Sequence, residues 1–335
     1  MTVSANKKQY LLNILSSYGG SIMSALVGII SAPISLSYWQ IEKYGVWAII
    51  TSMSAYLSAS GIGVDTACGI LMTKSPCLKD KEWIFRRSLR ILIASSVFFA
   101  ALFLAVTFAF PDWLKVLGKM SVDVYAEARI CAIIFIIGFF INMPFGAVAN
   151  AIGAYQKIYL NNFLNAFAPL LSLGALLLTV SLKLGMIPYA VLANSIVIVL
   201  SLCRIVILGY SRKEYSALSR SDPATSDERE GSYRNILGTG LNLMFYSMAL
   251  MLSSNIGNFI ISNKIDAAHV APYSLALKLF SLAFMFIATT IASASPIIGK
   301  ELSRGNWDWI KRAHGSLLIV GMFMGGALWI GGILF

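Results

Sequence analysis

The sequence predicts an all-α membrane protein of about nine transmembrane helices, drawn from a two-lobe (6+6) parallel-repeat architecture whose second lobe is incomplete. Three observations predict it. Of 335 residues, 58% are hydrophobic and only 12% charged, with a mean hydropathy of +0.75, against about 25% charged in an average soluble domain. Apolar runs recur near 10–38, 44–73, 88–110, 124–150, 161–182, 187–209, 236–262, 271–299 and 314–335, each able to cover roughly 30 Å of hydrocarbon as helix. Finally, pieces of the first half return in the same order after a shift of 229 positions, the usual trace of a two-lobed transporter.

The net charge of +11 invites a nucleic-acid reading, but its placement answers to topology. With a cytoplasmic N-terminus, the inside segments collect eighteen Lys and Arg, among them Lys7, Lys8, Lys74, Arg86, Arg212 and Arg312. The outside segments hold five: Lys43, Lys115, Lys119, Lys183 and Lys264. That bias is the positive-inside rule, so no nucleic-acid partner is expected. Cys68, Cys77, Cys131 and Cys203 lack metal-ligand spacing, and neither a disulfide framework nor a metal site is expected. The first apolar run is too long for a cleaved leader and reads as a retained span.

In the first span Ser17, Ser21, Ser24, Gly28, Ser31 and Ser35 fall at spacings of 4, 3, 4, 3 and 4, one face of a helix. Pro33 loosens the backbone near its outer end. The second span repeats the device with Thr51, Ser54, Ser58, Gly61, Asp65 and Cys68. Each stripe is either close packing through small residues or the wall of a hydrated cavity. Asp65, toward the cytoplasmic end, is a candidate gate or ion-coupling residue.

The third span is plain. The fourth places Glu127 and Arg129 about one turn inside its outer edge, on different helix faces. Arg129 either snorkels to the interface or lines a central cavity. Asn162, Asn165 and Pro169 interrupt the start of the fifth span, and Arg204 ends the sixth close enough to the cytoplasm to snorkel. The division expected is a six-helix lobe over 1–210, a cytoplasmic linker over 211–235 and three helices over 236–335. The linker mixes both charge signs with Ser and Pro and is too short for a soluble catalytic domain.

Across the repeat, Ser24 falls on Ser253, Gly28 on Gly257 and Tyr44 on Tyr273. In the seventh span Ser247, Met251, Asn255, Asn258 and Ser262 share a face that should point inward, because buried amides in lipid need partners. The eighth carries Lys278 with Ser281, Met285 and Thr289 on the same side. A mid-membrane lysine costs about 2.5–3.5 kcal/mol on insertion scales, so Lys278 is either a cavity cation or a snorkelling one. The chain stops inside an apolar run, where an equal second lobe would need about three more helices; a truncated, non-transporting remnant is one expectation.

Pro33, the stretch YGVWAIITSMSAYLSASGIGVDTA, AYQKIYLNN, the segment from Asn255 through YSLALKLF, and SPIIGKELSRGN together resemble the polysaccharide-biosynthesis (O-antigen type) flippases of the multidrug/oligosaccharidyl-lipid/polysaccharide exporter superfamily. The resemblance implies two parallel six-helix lobes around a V-shaped cavity. It also implies passage of an undecaprenyl-pyrophosphate-linked oligosaccharide across the bacterial inner membrane by alternating access, with polysaccharide polymerase and other assembly proteins as partners. Two acidic positions common in that family are Ser60 and Asn255 or Asn258 here.

Such a substrate needs cations for pyrophosphate, assigned to Lys278 and Arg129, and hydroxyls or amides for sugars, assigned to Ser24, Ser31, Thr51, Ser54, Ser58, Asn255 and Asn258. No cofactor, nucleophile or phosphate-binding Gly loop is expected, so the chain does not read as an enzyme. The alternative is an exporter of cationic small molecules, which should want buried carboxylates.

Overall fold

A computed structural model describes residues 3–75, 77–110, 112–114, 120–155, 157–218, 232–277 and 307–334. The backbone at Ser54, Ser58 and Asn255 is described, but their side chains fall outside the description, as does Lys278 entirely. Every regular element among the described residues is helical: α1 (Val3–Leu57), α2 (Val64–Lys74), α3 (Leu78–Ala109), α4 (Val122–Asn142), α5 (Phe145–Ala154), α6 (Ile158–Ser181), α7 (Met186–Leu218), α8 (Tyr233–Lys264), α9 (described over 270–277) and α10 (Trp307–Leu334). Among the described residues, five stretches are long and apolar enough to cross a bilayer: Leu15–Met53, Leu78–Ala109, Val122–Asn142, Ile158–Ser181 and Met186–Ser216. The chain is an all-α, multi-pass membrane protein.

The first two expected spans are joined at a kink of one residue, Gln40, with φ 65 and ψ 171. The second span is not the continuous helix that its stripe implied. After Leu57 the chain tightens into a 3₁₀ turn, Ser58–Gly61, and then passes through Ile62 at φ 52 and Gly63 at φ 60 before α2 begins. Two successive left-handed residues reset the helix phase, so the spacing that put Thr51 and Asp65 on one face no longer does so.

The fourth span also breaks, at Met143 and Pro144. Proline has no N–H for the carbonyl four residues back, which is that of Phe140. That carbonyl instead accepts from the Met143 N–H at 3.3 Å and from the Ser96 hydroxyl of α3 at 2.6 Å. A sequence break is thereby tied to a neighbouring helix.

Two large clusters, with a small third described below, hold the helices together. Nearer the Gln40 end, Trp39, Val46, Ile49 and Ile50 of α1 meet Ala128 and Cys131 of α4, Leu176 of α6 and Met186 and Ala190 of α7. Nearer the end rich in Lys and Arg, called here the basic end, Val64, Cys68 and Met72 of α2 meet Ile84 and Leu92 of α3, Ala147 and Ala151 of α5 and Ile236 of α8. Around them, large side chains such as Phe98 at 64% and Phe108 at 83% remain exposed. In water these would be adhesive patches, whereas in hydrocarbon they cost nothing, which leaves helix association to close packing and hydrogen bonds.

Candidate functional site

One feature that sequence spacing did not reveal is a seam between the first helices and α8–α9. At the Gln40 end, Tyr44 and Ala32 bury against Ala271, with Leu36 and Leu275 alongside. A side chain at Gly45 would run into the Ala267 carbonyl, so only glycine allows that approach. At mid-height the Asn258 amide donates to the Ser52 hydroxyl at 2.6 Å, both residues being buried. Ser52 in turn donates to the Ala48 carbonyl at 2.8 Å.

Toward the basic end the left-handed turn at Ile62 and Gly63 lies against Gly240 of α8, where a Cβ on Gly240 would sit 2.5 Å from the Ile62 carbonyl oxygen. Arg87 of α3 stacks over Trp83 at 3.3 Å and over Tyr233 of α8 at 4.7 Å, a cation sandwiched between two rings. Two ion pairs brace the same end, Arg212 with Glu82 at 2.5 Å and Lys157 with Glu214 at 2.7 Å. Burial works against the charge of Lys157, but the Glu214 hydrogen bond, Tyr159, the Glu214 charge and Tyr210 together outweigh it and raise its pKa. Tyr155, packed on Tyr215, is pushed up to about 12, first by burial and then by the Glu82 charge, so its hydroxyl stays neutral.

A polar network runs between α4, α6 and α7. Arg204 donates from Nε to Asn161 Oδ1 at 3.1 Å, from Nη1 to Ser201 Oγ at 3.1 Å and from Nη2 to Asn165 Oδ1 at 2.8 Å. Ser201, wholly buried, passes its own proton to Asn142 Oδ1 at the end of α4. On the adjoining face of α6, Asn162 donates to Ser16 and Ser17 of α1 at 3.1 and 2.8 Å. An open, mostly apolar cavity of about 470 Å³ follows, lined by Leu12, Leu15, Ser16, Tyr159, Leu160 and Phe163.

Asn258 belongs to the seam, where its Oδ1 and the Ser262 hydroxyl are buried without a hydrogen-bond partner among the described residues. Thr51 donates back to the Trp47 and Ala48 carbonyls at 3.0 and 3.1 Å. Ser31 does likewise to Gly28 at 3.3 Å, while Ser24 is exposed. Asp65 opens α2, where the helix dipole favours a carboxylate, and its Cβ packs close to Gly146 of α5. Cys68, the last member of the stripe, is fully buried in the basic-end cluster.

Arg129 is half-buried on α4, with its Nε buried and lacking an acceptor among the described residues. Glu127 is already committed: it pairs with Lys43 at 2.6 Å and accepts the Met186 N–H at 2.7 Å, tying α1, α4 and the start of α7. Arg204 is the residue that the sequence placed at the end of the sixth span as a snorkelling arginine. A snorkelling head group would be free in water, but this one is fixed between two helices, on Asn161 and Asn165 in the first two turns of α6 and on Ser201 of its own helix. Asn161 and Asn165, four apart on the facing helix, were the available signal.

No family model and no curated protein matches the chain by sequence. Among solved structures, it resembles a MOP superfamily transporter from Pyrococcus furiosus Vc1, described as having a binding pocket of reverse polarity that suggests a different function. That likeness has a TM-score of 0.70 at 15% identity, over 96% of this chain and 70% of that one. It also resembles a multidrug resistance MATE family transporter of the same superfamily in an inward-facing conformation, with a TM-score of 0.56 at 16% identity, over 98% of this chain and 69% of that one. The chain has the fold of these MOP superfamily transporters.

Proposed function

We propose that this chain works as a transporter of the MOP type and that its cargo is an anionic, lipid-linked oligosaccharide, moved across the bacterial inner membrane by alternating access. The observation that carries the reading is the sign of the charge inside the helical bundle. Arg129 and Arg204 have no carboxylate partner among the described residues, while the nearby carboxylate of Glu127 is neutralised by Lys43. Cationic cargo would call for the reverse arrangement. That one solved relative by fold is described by a reversed pocket polarity supports pocket charge as a property that varies on this scaffold.

In this reading Arg129 and Lys278 meet the pyrophosphate, and Ser24, Ser31 and the neighbouring hydroxyls meet the sugars, while the prenyl tail stays in lipid. No bond is made or broken. Residues 1–210 act as one lobe and the helices after residue 235 as the start of the other, with the basic end in the cytoplasm. The protein would hand its product to a polysaccharide polymerase on the far side.

The test is surface polysaccharide in a flippase-deficient strain expressing the chain, its Arg129→Ala and Lys278→Ala forms and the double variant, with membrane insertion checked for each. Restoration by the parent and loss in the variants is expected. Wild-type polysaccharide in both single variants and the double would remove the cavity-cation role, and failure of the parent chain would remove the substrate.

A further inference from the structure

Arg204 is a membrane-embedded cation that the described fold leaves without an opposite charge. Its three acceptors, Asn161, Asn165 and Ser201, are all neutral. A guanidinium has five N–H groups, of which three are used; the two remaining both sit on the terminal nitrogens, the pair that forms a fork for an oxyanion. The surroundings are tuned the same way. Each asparagine turns its oxygen toward the arginine and so has its NH₂ left to offer as a donor, and the Ser201 proton is already spent on Asn142. Asn165 is exposed, so the cluster is reachable.

The alternative uses of an arginine at this position do not fit the geometry. Plain snorkelling does not account for three fixed acceptors on two helices, since a head group in water needs none. An internal salt bridge fails because no Asp or Glu among the described residues pairs with it. A charge held in hydrocarbon with only amide dipoles around it is expensive, and an oxyanion arriving with its own negative charge removes that cost.

We propose that Arg204, Asn161 and Asn165 form a seat for a phosphate-type oxyanion between α6 and α7, in the half of the membrane next to the basic end. The ligand is a phosphate carried either on a lipid headgroup or free in solution. The seat deepens the transport reading and rests on it for the natural ligand alone; binding itself follows from the cluster.

The experiment uses the full chain, purified. Inorganic phosphate and pyrophosphate are titrated calorimetrically, and nanodiscs of phosphatidylcholine with and without phosphatidic acid are scored for retained lipid by native mass spectrometry. Arg204→Gln should weaken binding about 10- to 100-fold, the range set by losing charge-assisted hydrogen bonds. Arg204→Lys should retain part of it as a point charge, and Arg90→Gln, a charge removed from the same end, should change nothing.

Asn165→Asp is the decisive variant, because it preserves the shape and the acceptor while giving Arg204 a carboxylate. It should melt at or above the parent temperature yet lose the anion. A purely structural Arg204 predicts unchanged anion binding in that variant. Retained phosphatidic acid without binding of the soluble ions assigns the seat to a lipid headgroup, and the opposite result assigns it to a soluble phosphate. Binding unaltered in both Arg204→Gln and Asn165→Asp, or no binding of any probe by the parent, overturns the proposal. Intact binding in a chain that fails to restore polysaccharide removes the oligosaccharide and leaves the seat.

Discussion

Gly63 is where the break in the second span and the seam coincide, and replacing it with alanine tests both. The residue sits at φ 60, and a Cβ there would strike the Gly240 carbonyl. The left-handed conformation costs a non-glycine residue about 1–2 kcal/mol, and forcing a methyl into packed backbone adds about 1–3 kcal/mol. Gly63→Ala should therefore lose roughly 2–5 kcal/mol. Gly240→Ala meets the same wall, with its Cβ 2.5 Å from the Ile62 oxygen, but lies in regular helix, where alanine gains about 1 kcal/mol over glycine. Its net cost falls to about 0–2 kcal/mol. Gly28→Ala, with nothing within 4 Å of its Cβ, should gain close to the whole helical increment of about 1 kcal/mol. The assay is thermal unfolding in detergent, followed by a thiol-reactive fluorophore reaching the buried Cys68 and Cys131. The midpoints should rank Gly28→Ala highest, then parent, Gly240→Ala and Gly63→Ala. The double variant should be less than additive, because a seam pushed open once is open for both methyls. A Gly63→Ala midpoint equal to that of Gly28→Ala would refute the close approach and the left-handed turn together.

Two further outcomes follow from side chains on the same helices. Glu127→Gln removes the charge facing Lys43 but keeps an acceptor for the Met186 N–H; it should cost only about 0–1 kcal/mol, as for a partly exposed ion pair. Glu127→Ala also orphans the N–H and should cost about 1–3 kcal/mol more, read from the same melts. Asp266, in the α8–α9 turn, accepts from both the ring and the backbone N–H of His269 at 2.7 and 2.9 Å, and the ring contact first, then the N–H, holds its pKa below the usual value. Its contribution is thus complete above the unfolded carboxylate range near ~3.9 and fades as pH falls through the lowered value. Asp266→Asn should flatten the pH dependence of the melting midpoint below about pH 4 and lower the midpoint slightly at neutral pH, where the carboxylate's contribution is complete.

The helices were legible because hydrocarbon imposes length and composition on anything that crosses it, and the polar stripes were not, because spacing assumes an unbroken helix. Pro144 carried the signal for the break in the fourth span, although the run 124–150 was read as one helix. The break at Ile62 could not be read, since a β-branched residue in the left-handed region runs against local preference and is held there by packing against α8 and the basic-end cluster. Asn258 was foreseen as an inward-facing amide and does face inward, but onto Ser52 of another helix; a sequence shows that an amide needs a partner without showing which one. The bond between Glu127 and Lys43 spans 84 positions, beyond any local pattern. The repeat is similarly one-sided: Tyr273 lies directly on Gly257, while nothing lies within 4 Å of a Cβ on Gly28, the glycine that the 229-residue shift pairs with it.

Charge offers the firmest route from this fold to chemistry, because inside a membrane each ion must be accounted for. Lys43 accounts for Glu127, and Asp65 has the N-terminus of α2 beside it, whose partial positive charge suits a carboxylate. Glu82 and Glu214 are taken by Arg212 and Lys157 at the basic end. Among the described residues, the buried Lys81 is met by the Met72 carbonyl and the Tyr215 ring, and the guanidiniums of Arg129 and Arg204 also lack a carboxylate partner, on different helices and facing different neighbours. A helix bundle gains nothing from leaving two such groups unneutralised when an aspartate at position 165 would satisfy one of them with a change of a single atom pair. An anion that comes and goes would neutralise both, which is what the proposed transport of an anionic cargo requires.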